Sequence, residues 1–372
     1  MNDSWNPYAK AIAASSDRSE RVIVGEPELR NFCTQMLLAY GVPKEDADIT
    51  VDVFVQSDLR GEESHGIRLL LQVLYRIKAG GDVAGDKSEI VSDRAATALI
   101  DARRSLGQPV AARAMQLAID KARQYGIAMV GVRNANSYTS AKYYPLMAAA
   151  QGMIGITYTN SGVQLVTPHG GRKPLVGTNP VSIAAPALDK APFVLDMAIS
   201  PAMERIFQAF ERDEKIPEGW AIDVDGHETQ NPADALTSRS LLPWGGYKGF
   251  GLGLAHEILT CVLMGGQLFG GGATGFIPHD GPMNVSQTFQ AINIEHFVSL
   301  DQFKRQMDEA LNAVHASGPR PGFDRVYYPG EKGFIEEQQR LRDGIPVQLR
   351  VVRELNALAA GAGVKALASG QV

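Results

Sequence analysis

The feature that most constrains this chain's fold is a change of rhythm along its sequence. Both ends carry apolar residues at helical spacing, whereas the middle alternates short apolar runs with helical stretches. From Glu26, residues Leu29, Phe32, Met36 and Leu37 share one face, and Gly41-Val42-Pro43 closes that helix. A second helix is expected over 44–59. A third is expected after Ser64, carrying Leu70, Leu74 and Ile77 towards Gly80-Gly81. Beyond Gly81, strands are predicted at 95–101, 127–132, 153–159 and 193–195, with helices at 108–125 and 139–151 between them. An apolar helix follows at 249–263 and one additional strand at 291–294, before helices return at 300–315, 331–342 and 352–360. The pattern predicts an α/β layer over 91–295, inserted into a helical domain built from 26–90 and 296–372. Residues 1–25 are polar and aperiodic, an arm or a strap onto a partner subunit.

Composition removes several function classes. A net charge of −5 offers no basic footprint, so a nucleic-acid partner is not expected. No apolar stretch is long enough to cross a bilayer, and no secretory leader is evident. Cys33 and Cys261 fit no metal or redox spacing, which points to free thiols in the cytoplasm. The 38 glycines among 372 residues are the one excess, and 11 of them fall within 245–275. Glycine clustered around a lysine reads as backbone folded about a ligand rather than as linker.

Four segments carry candidate chemistry. In Glu63-Ser64-His65-Gly66, Ser64 stands where an N-cap would start a helix. That leaves His65 in the first turn, where the helix dipole disfavours imidazolium and keeps the ring ready to accept a proton. The bland alternative is a cap followed by a surface histidine. Pro168-His169-Gly170-Gly171 and Gly177-Thr178-Asn179-Pro180 either present N–H groups to an anion or form plain turns. Asp196 ends the apolar run 193–195, placed to orient His65, to hold a ribose diol, or simply to cap the next turn. The segment 242–253 opens an apolar helix with glycines and Lys248, suited to a phosphate or to close helix packing. It is neither a Walker A loop nor a Rossmann fingerprint, and no metal-ligand spacing occurs, so no metal is expected.

Taken together, the strings DLRGEESHG (58–66), GTNPVSIAAP (177–186), FVLDMA (193–198), IPEGWAIDVDG (216–226), GGYKGFGL (245–252) and RPGFDRVYYPGE (320–331) resemble the malate/L-lactate dehydrogenase family. That family lacks a Rossmann fold and includes ureidoglycolate and sulfolactate dehydrogenases and cyclic imino-acid reductases. The resemblance, over roughly 26–345, implies a non-Rossmann α/β cofactor domain inserted into the helical domain, with NAD or NADP as cofactor. It also implies a homodimer whose active site lies near the subunit interface. Ser161, Asp196, Met197, Ala198 and Lys248, with Gly249 beside it, match positions that meet the cofactor in the family. Ser64, His65 and Asp196 match a Ser–His–Asp proton relay.

The chain also departs from the family pattern. Ser137 stands where a catalytic histidine is expected, and an unassisted serine cannot replace imidazole as a base. Leu69 stands where an arginine usually holds a substrate carboxylate; Arg68 lies one residue earlier, about 100° away on a helix. Glu204-Arg205 lies near the place of a family Gly-Lys. Arg68, Ser137, Tyr138 and Thr178 are the candidate substrate contacts. Three readings follow: His65 acting with Asp196 on an imine or oxo compound, a Tyr138–Lys142 acid pair, or cofactor binding with little dehydrogenase activity. The leading expectation is hydride exchange between NAD(P)H and a small 2-oxo, 2-hydroxy or cyclic imino acid, with His65 as general acid/base. The alternative is a nicotinamide-binding protein whose dehydrogenase activity is lost or altered.

Overall fold

The computed structural model describes residues 20–270 and 279–367. In chain order the elements are β1 (Arg21–Val24), α1 (Glu26–Ala39), α2 (Lys44–Leu59), α3 (Leu70–Ala79), β2 (Glu89–Arg94), β3 (Thr97–Asp101), α4 (Gly107–Tyr125), β4 (Ile127–Ala135), α5 (Tyr143–Ala150) and β5 (Met153–Thr159). They continue with β6 (Val181–Ala185), β7 (Phe193–Met197), α6 (Met203–Glu211), β8 (Ala221–Ile222), β9 (Glu228–Thr229), α7 (Pro232–Ser238), β10 (Ser240–Leu241) and α8 (Tyr247–Glu257). The last are β11 (Val285–Asn293), α9 (Leu300–Ala316), α10 (Glu331–Asp343), β12 (Ile345–Gln348) and α11 (Leu349–Ala362).

The chain is α/β, with helices around a seven-stranded sheet of order β2-β3-β4-β11-β5-β6-β7. Only β3 and β4 run parallel, joined by α4; every other neighbouring pair is antiparallel. This is not a doubly wound sheet. Apolar α4 residues such as Met115 and Ile119 pack on Val130, Val132 and Phe289 of the sheet. The expected strand at 291–294 is the end of the central strand β11. Its first half reads Ser286-Gln287-Thr288, all buried, and that polar text conceals a core strand. Two of the buried polar groups are tied to neighbouring backbone: Gln287 donates to the Asn136 carbonyl at 3.0 Å and Thr288 to the Leu259 carbonyl at 2.7 Å.

The two chain ends share one core, in which Leu29, Phe54, Leu70 and Leu74 meet Ile345, Val352 and Leu355. β1 pairs antiparallel with β12, so Arg21–Val24, which the sequence assigns to an arm, is a strand closing this core. The remainder of that arm, 1–19, lies outside the described residues. A third apolar cluster, unforeseen in the sequence, gathers Val166, Ile199, Ile206 and Leu241 about α6, α7 and the small sheet β10-β8-β9. Outside these cores, Asp308 of α9 accepts N–H bonds from Leu188 and Asp189 at 3.0 and 2.9 Å, fixing the turn between β6 and β7.

Candidate active site

The segment after α2 is built around a buried carboxylate. Asp58, in the last turn of α2, accepts the Ile67 N–H on Oδ2 at 2.8 Å, and its Oδ1 lies against Gly66. A Cβ on residue 66 would stand 1.8 Å from that oxygen, so only glycine fits there. Burial pushes the Asp58 carboxyl up to about 7. The chain therefore turns through two short 3₁₀ segments, Glu63–His65 and Ile67–Leu69, and α3 begins only at Leu70. Ser64 is thus not the N-cap of a long helix. Instead its hydroxyl lies 2.8 Å from His65 Nδ1.

The expected helix-dipole effect on His65 gives way to another cause. Desolvation holds the imidazole below its ordinary value of 6.5; Arg68 and Lys142 add to this, while Glu62 opposes it. His65 nevertheless keeps solvent-exposed surface. The ring is thus surrounded by protein on most sides and open to solvent on one. Moving the chain at residue 66 would re-aim this ring: Gly66→Ala is expected to lower kcat by about 10²-fold with the fold retained, as a misplacement near 1 Å does. Steady-state kinetics beside a thermal melt would check this.

Asp196 stands at the end of β7. On one side that strand pairs with β6. On the other, Val194 donates to the Pro329 carbonyl at 3.0 Å, while Arg325 pairs with Glu331 within the 320–331 string. Desolvation, then Glu62, push the Asp196 carboxyl up to about 7, against the pull of Lys142. Its Oδ2 accepts the Lys142 backbone N–H at 3.2 Å. The Ser64–His65 link of the relay is therefore present, whereas the Asp196 bond runs to Lys142. The two groups share Glu62 and Lys142 as charged neighbours. The Lys142 ammonium is ion-paired with Glu62, and Arg68 with Glu204 at 3.2 Å. Leu69 packs against the helical core.

Tyr138 is buried, with Asp196 among the charges acting on it. Its ring is buried against Tyr144 and Phe289, and burial pushes its phenol well up. Residues 139–142 precede α5 rather than belonging to it, so Tyr138 and Lys142 do not share a helical face. The Ser137 hydroxyl accepts the Thr139 N–H at 3.1 Å, a local turn contact. Glu62 escaped notice in the sequence because a glutamate beside Glu63 reads as solvated charge. Its only signal was adjacency to the SHG string.

A second group of segments converges through the backbone. Ser161 Oγ accepts the Thr178 N–H at 3.0 Å, the Thr178 carbonyl accepts from Ile199 at 3.0 Å, and the Ile199 carbonyl accepts from Trp244 at 2.8 Å. This links Ser161, Thr178, the run Asp196-Met197-Ala198 and the start of α8. Gly245 and Gly246 take φ of +63° and +60° there, and Lys248 is exposed in the first helical turn. Gly249 serves packing: a Cβ would stand 2.1 Å from the Trp244 carbonyl oxygen. Much of the glycine excess thus reflects chain packed on chain. The exposed lysine, left-handed glycines and helix N-terminus fit the phosphates of a dinucleotide. Among the described residues no cluster of three or more His, Cys, Asp or Glu could hold a metal, and no helix is long and apolar enough to cross a membrane.

Comparison with known proteins agrees with this construction. The model of the family described as malate/L-lactate dehydrogenase matches residues 24–356. A malate dehydrogenase of Pyrococcus abyssi is 42% identical over 359 residues, 93% of this chain and 96% of that protein. An L-sulfolactate dehydrogenase of Methanocaldococcus jannaschii is 40% identical over 332 residues, covering 88% of this chain and 94% of the relative. The solved structure of malate dehydrogenase from Pyrococcus horikoshii superposes with a TM-score of 0.85 at 38% identity, covering 93% of this chain and 97% of that one.

Proposed function

The chain belongs to the malate/L-lactate dehydrogenase family, and from that premise we propose that it exchanges a hydride between NAD or NADP and a small 2-hydroxy or 2-oxo acid. The observation that carries this reading is a desolvated, neutral histidine that shares its charged neighbours with Asp196, whose run to Ile199 is tied to the dinucleotide-suited segments. When bound, the nicotinamide supplies the hydride chemistry. The chain's own part is the proton. In the oxidative direction the C–H hydride leaves the substrate while its O–H proton passes to His65, and in reduction His65 returns that proton to the new hydroxyl oxygen. Ser64 orients the ring, and Asp196 with Glu62 favours the imidazolium that forms. Ser161, Thr178, Met197, Ala198 and Lys248 hold the cofactor. A cyclic imino acid, whose reduction also needs one proton at the reacting centre, is the second substrate class.

Lys248→Ala is expected to weaken cofactor binding about 10-fold with kcat little changed, in line with one lost charged hydrogen bond. Titrating NADH and NADPH by fluorescence checks this and reports which cofactor is preferred. Ser137, its hydroxyl engaged in a turn, favours a second reading: cofactor binding without hydroxy-acid turnover. Tight binding with no turnover of any acid or imine tried would support it.

We read the chain as a homodimer. Trp244 just before α8, and Tyr247, Leu252, Ile258, Val262 and Leu263 on α8 and its continuation, are exposed apolar side chains next to the cofactor segments. Both cysteines are buried free thiols, in keeping with a cytoplasmic setting.

A further inference from the structure

The dehydrogenase reading above leaves open how the site holds its substrate, and the next step rests on it. A hydroxy or oxo acid brings a carboxylate, and taking that charge out of water requires a cation. Leu69 is turned into the helical core, which leaves Arg68 and Lys142 as the cations acting on His65. They are held differently. Arg68 reaches across to Glu204 with 34% of its side chain exposed. The Lys142 side chain is 11% exposed, and its main chain is tied to Asp196.

Among the described residues Glu62 is the one carboxylate paired with the Lys142 ammonium, which can donate three hydrogen bonds. Solvent screens this charge less than it screens Arg68. The Asp196 tether also fixes its position relative to the proton-handling groups.

We propose that Lys142 is the specificity-determining cation of this site: held by Glu62 beside His65 and Asp196, its ammonium binds the carboxylate of the reacting acid. Glu62 is its counter-ion when no substrate is present. A substrate lacking that carboxylate leaves Lys142 with Glu62 and gains nothing from it.

The test is calorimetric titration of oxalate, a non-reacting carboxylate, into the protein–cofactor complex, with oxo-acid kinetics alongside. Lys142→Met is expected to weaken oxalate and raise KM by about 10- to 100-fold, with the smaller effect on kcat. Lys142→Arg is expected to recover most of that loss. The Asp196 bond comes from the backbone N–H, so both variants retain it. Unchanged oxalate affinity in Lys142→Met, a loss that falls on Arg68→Met instead, or a wild type that binds no oxalate would overturn the proposal. Lys142-dependent oxalate binding in a protein that turns over no acid would uphold it while refuting the dehydrogenase reading.

Discussion

Replacing His65 by alanine is expected to lower kcat by about 10²- to 10⁴-fold, the usual contribution of a positioned acid/base. The melting temperature should change little, because the ring is exposed and its one hydrogen bond runs to the neighbouring Ser64. A loss within about threefold would remove His65 from the mechanism. The pH dependence separates its role further. The imidazole sits below 6.5 through desolvation, so it is already neutral near pH 7 and able to accept a proton. Asp196 is held up at about 7, so it loses its negative charge as pH falls through that value. Hydroxy-acid oxidation should therefore decline on an acid limb near 7, shaped also by Glu62, Arg68 and Lys142 around both groups. Asp196→Asn should shift that limb down towards the titration of His65. A limb that stays put would show that Asp196 does not set it.

The largest expected stability effect lies far from this chemistry. Phe289 is fully buried in central strand β11, with Tyr144 edge-on at 5.5 Å and Tyr138 tilted at 6.0 Å. Its strand pairs with β4 on one side and β5 on the other, so neither neighbour is free to collapse into a void. Phe289→Ala is expected to cost about 3–5 kcal/mol, a large share of the 5–15 kcal/mol typical of a folded domain. Denaturant unfolding measures it. Phe297, which is exposed, supplies the control: Phe297→Ala should fall within about 0.5 kcal/mol of wild type. A loss below about 1 kcal/mol at Phe289 would mean that β11 is not the keystone of the sheet.

Much of this fold is legible in the sequence where a single physical signal dominates. The helices over 44–59 and from Glu26 follow from apolar periodicity closed by Gly41 and Pro43, and 153–159 from its reading as a short buried strand. β11 is not legible, because Gln287 and Thr288 meet their partners, the Asn136 and Leu259 carbonyls, only after folding. The small sheet β10-β8-β9 is hidden for a simpler reason: two-residue strands carry no periodicity. At the site, Ser64, His65, Arg68 and Asp196 are legible as motif residues, but the forces on them are not. Asp58 reveals itself only through the glycine it demands at residue 66. The partnership of Lys142 with Glu62 joins residues 80 positions apart, and no local pattern announces it. Tyr138 misleads in the opposite sense, since the spacing that suggested a Tyr–Lys pair assumes a helix that starts at Tyr143.

The most direct test of the account is the initial rate of NADH and NADPH oxidation by wild type and His65→Ala, over pyruvate, oxaloacetate, sulfopyruvate and a cyclic imino acid. The account predicts turnover of at least one of these substrates by the wild type, reduced about 10²- to 10⁴-fold in the variant. Cofactor oxidation that proceeds equally well without His65, or a wild type that binds neither NADH nor NADPH, would contradict it.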